Sequence, residues 1–173
     1  KRWKREKRRG VIYMKLRLLT LAAMFAALCA IGALIKIPVG IGSAALDTVP
    51  ALISALFLPP MYAGAASLVG HLVSSLSAGF PLGPLHIIIA LEMFVILFVF
   101  TKLHQKGYHF WKWVFFIFAN SVLATLPFYW IISPAFFIGA LPGITLATIL
   151  NASIAMIVSP VVEKVMERVK THA

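Results

Sequence analysis

Residues 70–92 read GHLVSSLSAGFPLGPLHIIIALE, and this stretch decides what kind of chain it belongs to. Its flanks are apolar runs. Its centre, Ala78-Gly-Phe-Pro-Leu-Gly-Pro, has the Gly and Pro punctuation of a turn between two helices. Embedded in it are His71, Ser74, Ser75, Ser77, His86 and Glu92. Polar groups in so oily a setting are costly unless they are paired or used, so they mark the first place to look for function.

The rest of the chain is equally oily. Of its 173 residues 61% are hydrophobic and 12% charged, with a mean hydropathy of +0.96. A soluble domain of that size cannot hide so much apolar surface. The fold class expected is therefore an all-α membrane protein. Cys29 is the single cysteine, which rules out an internal disulfide and leaves the redox compartment open.

The net charge of +11 would suggest nucleic acid if it were spread over a surface, but it is not. Lys1, Arg2, Lys4, Arg5, Lys7, Arg8, Arg9, Lys15 and Arg17 form one group. Lys102, Lys106 and Lys112 form a second, and Lys164, Arg168 and Lys170 a third; only Lys36 falls elsewhere. The positive-inside rule puts all three groups in the cytoplasm. Residues 1–13 either hold anionic lipid headgroups or form a solvated, disordered extension. Met14-Lys-Leu-Arg reads as a native start, so the membrane domain is expected over 14–170.

Apolar runs divide that domain. Leu16–Ile35, about 20 residues, suits a hydrocarbon core of ~30 Å. It is too long for a signal peptide, and Leu28 is too bulky before Cys29 for a lipoprotein signal. Lys36–Asp47 is an external Gly- and Pro-bearing loop, after which Asp47 or Thr48 caps a short helix with Pro50 in its first turn. That helix stops at Pro59-Pro60. Further spans are expected at Met61–Ala78, Leu85–Thr101, Val114–Ile132 and Ile144–Val162, joined outside by Gly79–Pro84 and Ser133–Gly143. The second helix, roughly 11 residues, is short for a span. Omitting it would turn the basic tail outward against the charge bias. The expected architecture is a bundle of six transmembrane helices with both termini cytoplasmic.

Ala22, Ala26 and Ala30 recur every fourth residue of the first span, with Ala23 and Ala27 beside them. Such a small-residue stripe lets another helix lie close, either a partner's or the protein's own.

With that stripe, the loop after it and the run PALISALFLPPMYAG…GHLVSSLSAGFPLGPLH, the chain resembles an S component. S components are the substrate-capture subunits of energy-coupling factor (ECF) vitamin transporters. The resemblance covers Met14 to about Lys170, and the central run is most similar to the alpha-ribazole subgroup, which takes a nucleoside-like cobalamin precursor. It implies a protein of the prokaryotic cell membrane that is not an enzyme. Its partners would be a membrane coupling subunit, docked on the alanines of helix one, and two cytoplasmic ATPases. In keeping with this, the chain has no GxxxxGK[ST] phosphate loop and no cofactor motif.

In the expected topology, the outer loops and outer helix halves would meet an external substrate. They carry Asp47, His71, Ser74, Ser75, Phe80, His86, Glu92, Tyr129, Trp130, Thr145, Thr148 and Asn151, with Asn120 nearer mid-membrane. Glu92 is the leading candidate, being the one acid within an expected span; a buried acid holding helices together is the plainer reading. His71 and His86 are either ligand donors or histidines satisfied within the protein. Asn120 and Asn151 either bind ligand or join helices. Tyr129 and Trp130 either stack on a ring or mark the aromatic belt. Asp47 is either a ligand group or a cap.

Carboxylate vitamins would favour an Arg or Lys clamp, and the outer half offers only Lys36 on a loop. Aromatic rings, hydroxyls, amides, imidazoles and a carboxylate suit a neutral or weakly cationic ring bearing hydroxyl groups, such as alpha-ribazole, a flavin or another nucleoside-like vitamin. Two rivals come from other classes. A metal-uptake subunit would use His71, His86 and Glu92, at spacings that match no compact metal motif. The other rival is a small intramembrane enzyme or assembly factor.

Overall fold

A computed structural model describes residues 2–39 and 42–171. In chain order the elements are α1 (Arg2–Gly32), β1 (Lys36–Val39), β2 (Gly42–Ala45), α2 (Thr48–Ser54), α3 (Pro60–Ser77), α4 (Leu85–Gln105), α5 (Trp111–Phe118), a π-helical turn (Ala119–Leu123), α6 (Phe128–Ile131) and α7 (Pro134–Thr171). The helical membrane architecture is as expected. Among the described residues four stretches are long and apolar enough to cross a bilayer: Arg9–Gly32, Leu85–Gln105, Trp111–Ile131 and Pro134–Val165. At 7 residues α2 is too short to do so. Ser67, His71, Ser74, Ser75 and Ser77 dilute the apolar character of α3, whose 18 residues would otherwise suffice.

The loop after α1 holds a two-stranded antiparallel ribbon, with Lys36 opposite Ala45 and Val39 opposite Gly42. Its end leads straight into α2. The short helix buries Val49, Ala51, Leu52 and Ser54 and then turns at Pro59-Pro60 into α3.

Helix α3 lies between α1 and α4, and glycine makes both approaches possible. A Cβ on Gly70 would fall 2.6 Å from the Cys29 Cβ on α1, and one on Gly64 would fall 2.9 Å from the Phe94 carbonyl oxygen on α4. Without side chains there, the backbones come close enough for van der Waals packing to hold the helices, the main attraction left when lipid tails are as apolar as leucine. Ala22 and Phe25 of α1 form one buried cluster with Leu58, Ala63 and Ala66, and Ala26 is buried beside Gly70 of α3. A larger core joins Leu52, Met93, Leu97, Phe100, Phe116, Ala119, Ala152 and Ala155.

Three segments differ from the sequence expectation. Helix α1 runs back to Arg2 through the basic segment that reads as a disordered extension; Lys and Arg are good helix formers, and the first span gives them a helix to extend. Lys1 lies outside the described residues. The connection expected over Ser133–Gly143 is helical, because α7 starts at Pro134. Ser133 Oγ accepts the Phe136 N–H at 3.1 Å, and Pro134 has no N–H to leave unsatisfied. Ser133-Pro134 is thus a helix start, although Gly139, Pro142 and Gly143 read as a loop; helices in membranes tolerate such residues inside. The expected fifth span is not a regular helix. At Ala119–Leu123 it widens to a π turn, where the Ala124 N–H reaches the Ala119 carbonyl at 2.8 Å.

Candidate functional site

The widened turn and the start of α7 open a cavity of about 280 Å³ in the outer half of the bundle as the sequence orients it. Asp47 and Thr48 line it from the start of α2, His71 from α3, and Ile89 and Met93 from α4. The π turn and the segment leading to α6 give Asn120, Ala124, Thr125 and Phe128. A helical stripe of α7, Phe136–Ile144–Ala147–Thr148–Asn151, closes the far side. Phe128 and Phe136 stand 6.2 Å apart at 60°, giving the cavity an aromatic edge.

Asp47 precedes α2 but does not cap it with its side chain. Its carboxylate instead accepts the Thr48 hydroxyl and the Ser74 hydroxyl, each at 3.2 Å. Burial pushes its pKa above the ordinary carboxylate range, and those two hydroxyls partly oppose the shift. The cap comes from elsewhere. Asn151 Oδ1 accepts the Val49 N–H at 3.2 Å, while Asn151 Nδ2 donates to the Ala45 and Ala147 carbonyls at 2.8 and 2.9 Å. Both donors and one acceptor site of Asn151 are thereby engaged within the protein.

Asn120 is freer. Its Nδ2 donates at 2.7 Å to Thr148 Oγ1, which itself donates to the Ile144 carbonyl. That leaves Oδ1 of Asn120 as an acceptor on the cavity wall. Thr125, tied to the Ser121 carbonyl at 2.7 Å, adds a hydroxyl. His71 meets His86, with Nε2 of the first 3.2 Å from Nδ1 of the second. His86 is buried behind it, and its Nε2 accepts the Leu82 N–H at 3.4 Å.

Of the residues singled out in the sequence, Asp47, His71, Asn120, Thr148 and Asn151 share this cavity. His86 supports it from behind. Phe80 lies over the His86 ring, 5.6 Å between centroids, and is not part of the lining. Tyr129 and Trp130 pack edge-on at 5.2 Å and face outward, Trp130 with 71% of its surface exposed, so they do not line the cavity either. Glu92 is also outside the lining; its Oε2 is buried with no hydrogen-bond partner among the described residues. His71 and His86 come together, yet no group of three or more His, Cys, Asp or Glu suited to a metal ion occurs among the described residues.

Thr125, Phe128 and Phe136 are among the lining residues that the sequence reading missed. Phe136 falls in a segment that reads as a loop, and the Ser133-Pro134 helix start is the signal that would put it on the inner face of α7. On α1, Ala22 and Ala26 point into the protein's own core, while Ala23 and Ala27 are exposed and Ala30 is half-buried.

No curated protein and no solved structure matches this chain. A family model described as the substrate-specific component of ECF transporters matches residues 17–163, most of the chain's length. The cavity, largely apolar with a few polar groups, lies within that match, and the chain belongs to the family of ECF transporter substrate-specific components.

Proposed function

We propose that the cavity captures a small nucleoside-like molecule from outside the cell, alpha-ribazole being the best match, for ATP-driven uptake. Substrate-specific components of ECF transporters bind a small substrate and work with a membrane coupling subunit and ATPases; they are transport subunits, not enzymes.

The observation that carries the substrate class is the lining. It offers the carboxylate of Asp47, the free amide oxygen of Asn120, the hydroxyls of Thr48, Thr125 and Thr148, an imidazole and two phenyl rings, and no Lys or Arg. A carboxylate vitamin would meet Asp47 with no cation to offset it, whereas ribose hydroxyls would donate to Asp47 and Asn120 while the ring packs on Phe128 and Phe136. A volume of about 280 Å³ sits at the small end of ligand cavities, roughly 300–1,000 Å³. It favours one compact ring system and a sugar over a flavin or a corrinoid.

In this reading six helices form a bundle in the plasma membrane of a prokaryote, the short α2 descending from the outer face and α3 returning to it. Residues 14–170 form the membrane unit, 1–13 a basic extension of it, and both termini are cytoplasmic, which the positions of the three basic groups support. The coupling subunit docks on the outward register of α1, at Ala23 and Ala27.

Calorimetric titration of the purified protein in nanodiscs tests the substrate class. Saturable binding of alpha-ribazole, with none of biotin or pantothenate, is the expected result. Binding of a carboxylate vitamin would overturn the class; binding of riboflavin alone would overturn alpha-ribazole but keep the family role.

A further inference from the structure

The hydrogen-bond chain behind the cavity assigns its own protons. The Leu82 N–H can only donate, so His86 Nε2, 3.4 Å away, must be an acceptor. A neutral His86 then carries its hydrogen on Nδ1. That atom is 3.2 Å from His71 Nε2, which must accept it. His71 in turn carries its hydrogen on Nδ1, the less common form for an imidazole free in water. Among the described residues Nδ1 of His71 has no hydrogen-bond partner, and His71 lines the cavity.

We propose that His86 is a positioning residue that fixes His71 as a hydrogen-bond donor into the cavity, so that the site selects a substrate presenting an acceptor, an unprotonated ring nitrogen or an oxygen, at that point. This rests on the cavity being the substrate site.

The arrangement gives the site complementary polarity. Asp47 and Asn120 Oδ1 accept on one part of the wall, and His71 donates on another. A ligand with hydroxyl donors at one end and a bare ring nitrogen at the other satisfies both. The chain of hydrogen bonds also starts in the outer turn. Phe80, at φ 50, is the one non-glycine residue with positive φ among the described residues, and it sits between Gly79 and the Leu82 amide. A non-glycine residue is held there only when its surroundings demand it. Its ring lies over His86, so the same strained turn supplies both the amide that sets the His86 tautomer and the ring that packs on it.

Two measurements test the inference, and the first does not depend on the substrate. Two-bond ¹⁵N–¹H correlation spectra of histidine-labelled protein in nanodiscs, without ligand and at a pH where both rings are neutral, report which nitrogen carries each hydrogen. The expected result is Nδ1–H at both His71 and His86, with His71 changing to Nε2–H in His86→Leu. Nε2–H at His71 in the wild type, or no change in His86→Leu, would overturn the relay. The second is titration with alpha-ribazole. His86→Leu should weaken binding on the order of tenfold, the effect of a lost hydrogen bond to a buried group, and His86→Asn, which keeps a donor near the Nδ1 position, should recover most of it. Equal loss in both variants, with melting temperatures unchanged, would overturn the positioning role. Failure of the wild type to bind alpha-ribazole would overturn the substrate assignment and the acceptor-bearing ligand inferred from it, while the spectra would still decide the relay itself.

Discussion

Asn151 on α7 caps α2 from 102 residues away: its Oδ1 accepts the Val49 N–H at 3.2 Å. Because its Nδ2 also holds the Ala45 carbonyl at the end of β2, one amide fixes ribbon, short helix and long helix together. Asn151→Ala should therefore lower the ligand-free melting stability by about 1–2 kcal/mol, the usual cost of a lost cap. Asn151→Asp keeps the acceptor but turns a carboxylate oxygen on the Ala45 and Ala147 carbonyls, so it should not recover the loss. Melting of both variants in the same detergent decides it, and an unchanged Asn151→Ala would remove the capping role.

Asp47 should make stability and affinity respond to pH in opposite directions. Its folded pKa is raised by burial, so its contribution to stability is complete below the unfolded value of about 3.9 and is lost as pH rises through the folded value. Lowering the pH towards the unfolded value should thus raise the ligand-free melting temperature of the wild type relative to Asp47→Asn. Affinity for a hydroxyl-bearing ligand should fall over the same range as the acceptor is protonated. At neutral pH, Asp47→Asn should cost about 1.5–3 kcal/mol of binding. Glu92→Gln, outside the lining, should stay within about twofold of wild type.

Filling the cavity should separate binding from folding. Ala147→Phe places a ring in space that the protein leaves open, so binding should be lost while the melting temperature holds or rises. A variant that still binds tightly would move the site elsewhere.

The two alanine registers of α1 should behave differently. Ala26 is buried beside Gly70 of α3, so Ala26→Trp overpacks the protein's own interior and should destabilise it by about 1–3 kcal/mol. Ala27 is exposed, so Ala27→Trp should leave folding and ligand binding intact while preventing assembly with the coupling subunit. Co-purification with the coupling module reads the difference. Normal assembly of Ala27→Trp would shift the docking face.

Orientation is open to a direct check. In a Cys29→Ala background, cysteines at Ala78 and Ile132 should react with an impermeant reagent added outside cells, and one at Lys106 should not. Labelling at Lys106 would invert or break the six-span arrangement.

Much of the fold was legible because apolar runs and basic clusters are long-range statistics of the chain, indifferent to local detail. The boundaries of α3 and α4 followed from the Gly79–Pro84 turn, and that turn brought His71 and His86 into reach of each other. What the sequence hid was phase. The aromatic run Phe128-Tyr129-Trp130 does not say which ring faces inward, and in the structure Phe128 lines the cavity while its two neighbours do not. Glu92 stands out in the sequence because a lone acid in a span is expensive, and the spacing does not show that it lies outside the lining of this cavity. The role of Asn151 was hidden for another reason: a cap supplied from 102 residues away leaves no local pattern.

The contact of Cys29 with Gly70 turns the one thiol of the chain into a clock. Only 2% of Cys29 is exposed, and the absent side chain at Gly70 lets α3 lie directly against it. A thiol reagent reaches that sulfur only while the packing of α1 against α2 and α3 is loosened. The rate at which the unaltered protein is modified therefore counts those openings, with ligand bound or absent, alone or in the assembled transporter, and needs no introduced label.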